Sequence, residues 1–173
     1  CIRDRHRGAV GADPKAGDGS GLLIQIPHNF LKKKLSNQFS LPDPGEYAVG
    51  VLFLPNDEND EKKLKELIEK ICSNEGVKIL GWRLCPTFND ELGWSVLPSM
   101  PIVYQLFLEK PKSENSQDAF ERKLYILRRC IEKAVLDLSD QIKEGFYIPS
   151  FSSRTILYKG CLLYTSPSPR DGH

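Results

Sequence analysis

The chain has 173 residues, of which 40% are hydrophobic and 27% are charged, and its formal net charge is +1. This length suits one domain with its own core. The balanced charge argues against a nucleic acid or an anionic membrane surface as a partner, because both attract strongly basic surfaces. A membrane-spanning helix needs roughly 20 consecutive apolar residues, and the sequence contains no such run.

The first half of the chain predicts two strands and two helices. Residues 8–21 are glycine-rich and predict a loop, which leads into a short strand over 22–26 and a short helix over 28–38. Residues 47–54 are almost all β-favouring and predict a buried strand. A helix that ends at 74–76 is indicated by apolar residues spaced by threes and fours, namely Leu64, Leu67, Ile68, Ile71 and Cys72.

The second half continues the alternation. Strands are predicted over 77–84 and 102–108, with a proline-rich loop between them that is flanked by Trp82 and Trp94, both expected in the core or at its edge. A long helix closed by Gly145 is indicated by one apolar stripe, Phe120, Leu124, Leu127, Ile131, Val135 and Leu138. Short strands follow over 146–148 and 155–158. This order predicts a layered α/β or α+β domain.

Cysteines and histidines give no sign of a metal site. The five cysteines are widely spaced and form no Cys-x-x-Cys pair, so neither zinc nor a disulfide framework is indicated. Cys72 and Cys130 fall on apolar helical faces, where we expect buried, reduced thiols. His6 and His28 have no second ligand at metal-binding spacing. A reducing compartment such as the cytosol fits this pattern.

The segment Gly17-Asp18-Gly19-Ser20-Gly21 invites comparison with a phosphate-binding loop. Such a loop follows a strand and precedes a helix, so that backbone N–H groups converge on the anion. Here a strand follows the loop instead, and no Lys-Ser or Lys-Thr pair is present. We therefore interpret the segment as a tight turn, and nucleotide binding remains the less favoured alternative.

Five sequence blocks closely resemble the N-terminal class II glutamine amidotransferase domain of the glutamate synthase large subunit. They occur in the family's order and cover almost all of residues 6–160, which makes the resemblance specific. The blocks are His6 to Asp13, Gly17 to Pro27, Leu80 to Arg83 with Pro86 and Leu92-Gly93, Phe120 to Leu124, and Ser152 to Gly160.

The resemblance implies an α+β fold, a four-layer αββα sandwich of the N-terminal-nucleophile amidohydrolases, here incomplete. Residues 1–160 correspond to part of that domain. The end of the chain has no periodic pattern and looks like translated adapter sequence, so we interpret residues 161–173 as a non-native tail. A disordered native tail is the alternative.

In this family an N-terminal cysteine attacks the side-chain amide of glutamine, and its own α-amino group acts as the base. The ammonia passes to 2-oxoglutarate, whose reductive amination to glutamate uses FMN and an iron–sulfur cluster in other parts of the parent enzyme. The implied partners are glutamine, the remaining synthase domains, and a small subunit or ferredoxin. The implied location is the cytoplasm, or the plastid stroma in a plant or alga. A non-catalytic binding or regulatory module of the same ancestry is the alternative.

The resemblance also implies where the site lies. Cys1 does not match the family's nucleophile, because it is followed by Ile-Arg-Asp rather than by glycine and a strand and lies only five positions before His6. The nucleophile is expected upstream, and the arginine that binds glutamine and the Asn-Gly oxyanion pair are expected downstream. No catalytic or metal-binding residue is therefore assigned in the chain, which we expect to be inactive alone. The expected neighbours of the active site are Arg7, Gly8, Asp18, Gly19 and Gly21.

Overall fold

The structure is a computed structural model and describes residues 18–87, 90, 92–95 and 97–162. Within these ranges six strands are described: β1 (Asp18–Gln25), β2 (Tyr47–Leu54), β3 (Ile79–Leu84), β4 (Ile102–Glu109), β5 (Tyr147–Ser152) and β6 (Thr155–Leu162). Four α-helices are described: α1 (His28–Leu35), α2 (Glu58–Asn74), α3 (Gln117–Val135) and α4 (Asp140–Gly145).

The chain divides into two compact units. The larger one comprises Leu22–Cys85 and Pro101–Tyr158. The smaller one comprises Cys1–Gly21, Pro86–Met100 and Lys159–His173, and its described part includes a short 3₁₀ helix over Leu97–Ser99.

A four-stranded sheet in the order β3-β4-β2-β5 forms the centre of the larger unit. β2 pairs antiparallel with β4, from Tyr47 opposite Glu109 to Leu54 opposite Ile102, and antiparallel with β5 on its other side. The β3–β4 pairing shifts register between Ile79 and Gly81. All residues of β2 except Phe53 are buried, which requires a packed layer on each face of the sheet.

Helices α2 and α3 cover one face of this sheet. Both begin at a side-chain cap, since Asp57 accepts hydrogen bonds from the N–H groups of Asn59 and Asp60, and Ser116 accepts one from Ala119. Their apolar stripes pack on alternate residues of β2 and β4. The shared core includes Ala48, Leu52, Leu64, Ile68, Cys72, Leu106, Leu108, Phe120, Leu124, Leu127 and Ile131.

The other face of the sheet carries a second core, built with α1 and with a two-stranded sheet of β1 and β6. Its buried members are Leu31, Leu35, Leu41, Tyr47, Val49, Val51, Phe107 and Ile156. A helical layer, a sheet and a second sheet therefore pack in sequence. This arrangement is consistent with the incomplete α+β, N-terminal-nucleophile sandwich that the sequence predicts, and the predicted fold class is confirmed.

The prediction of one long helix that ends at Gly145 is wrong, because α3 ends at Val135 and α4 is a separate helix. Tight i→i−3 hydrogen bonds follow Val135, among them Leu138 N–H to the Val135 carbonyl. Ser139 then adopts an extended backbone and precedes α4. Serine at that position favours a new helix start over continuation of the old helix.

Two expectations about burial are also wrong. Trp94 is 69% exposed rather than part of the core. Trp82 packs, as expected, against the core between the sheet and helices α2 and α3. Cys72 is buried, but Cys130 is only half-buried because it lies at the edge of the α3 apolar stripe.

Candidate functional site

The structure describes some of the residues predicted to neighbour the active site and leaves out others. Cys1, Arg7 and Gly8 lie outside the described residues. Asp18, Gly19 and Gly21 form the first half of β1, so the predicted tight turn at this point is wrong. A strand that starts at Asp18 also removes the phosphate-loop interpretation, since the backbone there is extended and the next helix after this strand begins only at His28.

Two of the family-like blocks meet where β5 turns into β6. The Glu121 Oε1 atom on α3 accepts hydrogen bonds from the Ser153 backbone N–H at 2.6 Å, the Ser153 hydroxyl at 2.6 Å and the Ser152 hydroxyl at 3.1 Å. The Ser152 hydroxyl oxygen in turn accepts from the N–H groups of Arg154 and Thr155. Ser153 is only 4% exposed, so this carboxylate satisfies donors that have lost water.

A second link joins the Leu80 to Arg83 block to the Ser152 to Gly160 block between the sheets. The Gln105 side chain on β4 is fully buried, and its amide oxygen accepts from Arg83 Nη1 at 2.8 Å. Its amide nitrogen donates to the Tyr158 hydroxyl at 3.3 Å. Because a guanidinium can only donate, Arg83 fixes which end of the Gln105 amide faces each partner. This polar chain connects β3, β4 and β6 across an otherwise apolar layer.

A cleft of about 560 Å³ opens between the start of α1, the start of α3 and the β5–β6 turn. On its wall, His28 Nδ1 and the Tyr47 hydroxyl are 3.2 Å apart. Burial raises the pKa of Tyr47 to about 12, so this hydroxyl stays protonated and able to donate. The lining residues are Gln25, Ile26, His28, Pro44, Gly45, Tyr47, Gln117, Ser153, Arg154 and Thr155.

Among the described residues, the lining of the cleft includes no cysteine and no carboxylate side chain. Sequence reasoning did not predict this cleft, because its residues come from four separate segments and form no local motif. The local signals are that Gln25 and Ile26 lie in one family-like block and that Ser153, Arg154 and Thr155 lie in another.

Two of the described cysteines of the larger unit, Cys72 and Cys85, are poorly suited to nucleophilic attack. Burial raises the pKa of the Cys72 thiol to about 12, and the nearby Glu69 carboxylate adds to the effect. Burial also raises the pKa of Cys85, with a partial opposing effect from the Arg83 charge. A thiol acts as a nucleophile only as the thiolate, so neither group is activated at neutral pH.

The described part of the chain holds no group of three or more His, Cys, Asp or Glu side chains arranged to bind a metal ion. Nor does any helix in the described ranges combine the length and apolar character needed to cross a membrane.

The family model of the class-II glutamine amidotransferases matches residues 2–167. The chain belongs to this family. Among curated proteins it is 39% identical over 159 residues to the large chain of the NADPH glutamate synthase of Bacillus subtilis. It is 40% identical over 158 residues to the chloroplastic ferredoxin-dependent glutamate synthase of Oryza sativa subsp. japonica, and 33% identical over 156 residues to ferredoxin-dependent glutamate synthase 2 of Synechocystis.

These alignments cover 90–91% of the chain but only 10% of each relative. The chain thus spans about a tenth of the length of the proteins it matches. The resemblance to the amidotransferase domain of glutamate synthases is confirmed. For this class-II amidotransferase, the hydrogen bonds between Glu121 and Ser153 and between Arg83, Gln105 and Tyr158 show that separate family-like blocks pack together.

Proposed function

We propose that this chain is part of the glutamine-hydrolysing domain of a glutamate synthase. In the complete protein, glutamine is hydrolysed to glutamate and ammonia, and the ammonia is channelled to 2-oxoglutarate for reductive amination. The names of the relatives include both NADPH and ferredoxin as electron donors. The proposed electron donor of this protein belongs to one of these two classes.

The observation that carries the proposal is the hydrogen bonding of the Phe120 to Leu124 block to the Ser152 to Gly160 block through Glu121 and Ser153. The two blocks are 32 positions apart, yet one carboxylate oxygen joins them. The two family-like blocks are therefore held in one three-dimensional arrangement, which supports placing the chain in the family's amidotransferase domain. The alternative of a non-catalytic module shares this framework and differs only in lacking the nucleophile.

The proposed nucleophile is a mature N-terminal cysteine that lies before the His6 block in the complete protein. Its thiolate attacks the side-chain amide carbon of glutamine, ammonia leaves, and water hydrolyses the resulting thioester to glutamate. The raised pKa values of Cys72 and Cys85 support a nucleophile elsewhere. Arg7 and Gly8 are proposed to lie beside it.

Asp18, Gly19 and Gly21 are also proposed to border this site. They lie in extended backbone, in place of the turn that the sequence predicts. Glycine at two of these positions leaves the backbone open to close approach by a ligand.

Other proposed properties concern the parent protein. FMN and an iron–sulfur cluster are proposed to bind in other parts of it. The proposed partners are the remaining synthase domains and a small subunit or ferredoxin. The proposed location is the cytoplasm or, in a plant or alga, the plastid stroma. Residues 161–173 are proposed to be a non-native tail.

The test uses the complete protein, supplied with glutamine labelled in its amide nitrogen, 2-oxoglutarate and a reductant. We expect the label in newly formed glutamate, and a large loss of transfer in the Arg7→Ala variant. Lys63→Ala is the matched control, because Lys63 is 63% exposed and forms only a surface ion pair with Asp60. Absence of label in glutamate from the unaltered protein contradicts the proposal.

A further inference from the structure

The outward face of α3 carries an unusual combination of side chains. Positions separated by three, four and seven residues line one side of a helix. On α3 and its C-cap these positions form what we call the α3 outer stripe, Arg122, Tyr125, Ile126, Arg129, Lys133 and Leu136. Its three apolar members are 65%, 50% and 65% exposed, although the opposite face of the same helix is fully buried.

The charges of this stripe are all positive. Arg129 pairs with Glu132, which is shared with Arg128. Arg122 and Lys133 form no ion pair with any described residue. Apolar side chains interleaved with unpaired cations are typical of an interface whose partner is apolar and acidic. Tyrosine and arginine are also the residues that most often anchor protein interfaces.

We propose that the α3 outer stripe docks against an acidic surface of another domain of the same polypeptide. This inference rests on the proposed function, since it takes the chain to be part of a longer synthase. The size of the stripe argues for that occupant. From Arg122 to Leu136 a helix rises about 21 Å, and with a width of about 10 Å the stripe offers roughly 200 Å².

A separate protein or a second copy needs a larger contact. Stable interfaces between independent partners bury about 800 Å² on each side. A domain linked in the same chain needs less, because the link raises its effective concentration to about the millimolar range. The relatives that the chain matches are about ten times longer than the matched part, so a longer polypeptide supplies such domains.

The test measures thiol labelling in the complete protein. The Ile126→Cys variant is compared with Lys63→Cys, which places a thiol on an exposed position of α2. Labelling by a maleimide is followed by mass spectrometry of the peptides. We expect the thiol at position 126 to react at least about tenfold more slowly than the one at position 63, because it reacts only after local opening. Equal rates overturn the proposal.

Two further measurements identify what covers the stripe. Adding Arg122→Glu and Lys133→Glu to the Ile126→Cys variant reverses the charge at two positions of the stripe, and we expect the labelling rate to rise towards that of the control. Protection that disappears on dilution of the protein indicates a second copy and overturns the proposal. Transfer of labelled amide nitrogen to glutamate is measured on the same samples. A sample that transfers nitrogen but has an unprotected thiol at position 126 contradicts the docking proposal alone, and a sample that transfers no nitrogen contradicts the proposed function.

Discussion

Glu121 and Ser153 form the contact that joins α3 to the β5–β6 turn. The Glu121 Oε1 atom lies 2.6 Å from both the backbone nitrogen and the hydroxyl oxygen of Ser153. Charge-assisted hydrogen bonds of this kind are about twice as strong as neutral ones. The contact fixes a turn that also forms one wall of the cleft.

Glu121→Ala is therefore expected to destabilise the larger unit. It leaves the buried N–H and hydroxyl of Ser153 without their acceptor, which costs about 2–4 kcal/mol of unfolding free energy. Urea unfolding followed by circular dichroism measures the loss. Asp118→Ala is the control on the same helix, because the ion pair of Asp118 with Arg154 is largely exposed and is worth about 0–1 kcal/mol. Equal effects of the two substitutions contradict the role of Glu121.

Gly81 is expected to tolerate no side chain. A Cβ atom built there lies 2.4 Å from the Phe39 ring, and that ring packs against Phe107 with centroids 5.4 Å apart. Overpacking of this kind costs about 1–3 kcal/mol. Gly81→Ala is thus expected to lower the urea midpoint, and a second substitution, Phe39→Leu, is expected to recover part of the loss. A Gly81→Ala variant as stable as the unaltered chain shows that the close approach is not a constraint.

Stability at high pH is expected to depend on Tyr47. Its pKa is about 12 in the folded chain and 10.0 in its unperturbed state. Above pH 10 the unfolded chain loses this proton while the folded chain keeps it, so rising pH favours unfolding. The free energy of unfolding then falls by up to about 1.4 kcal/mol per pH unit until about pH 12.

The Tyr47→Phe variant isolates this contribution. It lacks the hydroxyl, so the fall in stability between pH 10 and pH 12 is expected to be shallower than in the unaltered chain. Tyr125→Phe is the control, because Tyr125 is 65% exposed. If the Tyr47→Phe and unaltered curves run parallel over this range, Tyr47 does not titrate as described.

The sequence correctly predicts the strands and helices whose apolar pattern reflects burial, either of one face or of both faces. The strand over 47–54 matches β2, and the spacing from Leu64 to Cys72 matches the buried stripe of α2. The end of α3 was not predicted. Its apolar stripe continues through Leu138, and only the capping preference of Ser139 marks the break.

The site was less accessible to sequence reasoning. The family resemblance identifies the blocks and their order along the sequence. It does not show that Glu121 forms a hydrogen bond with Ser153, or that Gln105 connects Arg83 to Tyr158. Gln105 lies outside every family-like block, and nothing in its neighbourhood marks it as a buried polar link. Asp18 to Gly21 read as a turn because glycine permits one, whereas pairing with β6 makes the segment a strand.

The most direct measurement asks which sulfur atom attacks glutamine. The complete protein is treated with an electrophilic ketone analogue of glutamine, and the modified cysteine is located by mass spectrometry. We predict a single modified cysteine at the mature N-terminus, before the His6 block, with Cys1, Cys72, Cys85 and Cys130 unmodified. Modification of Cys1 or of any of the other three, protected by added glutamine, contradicts the account.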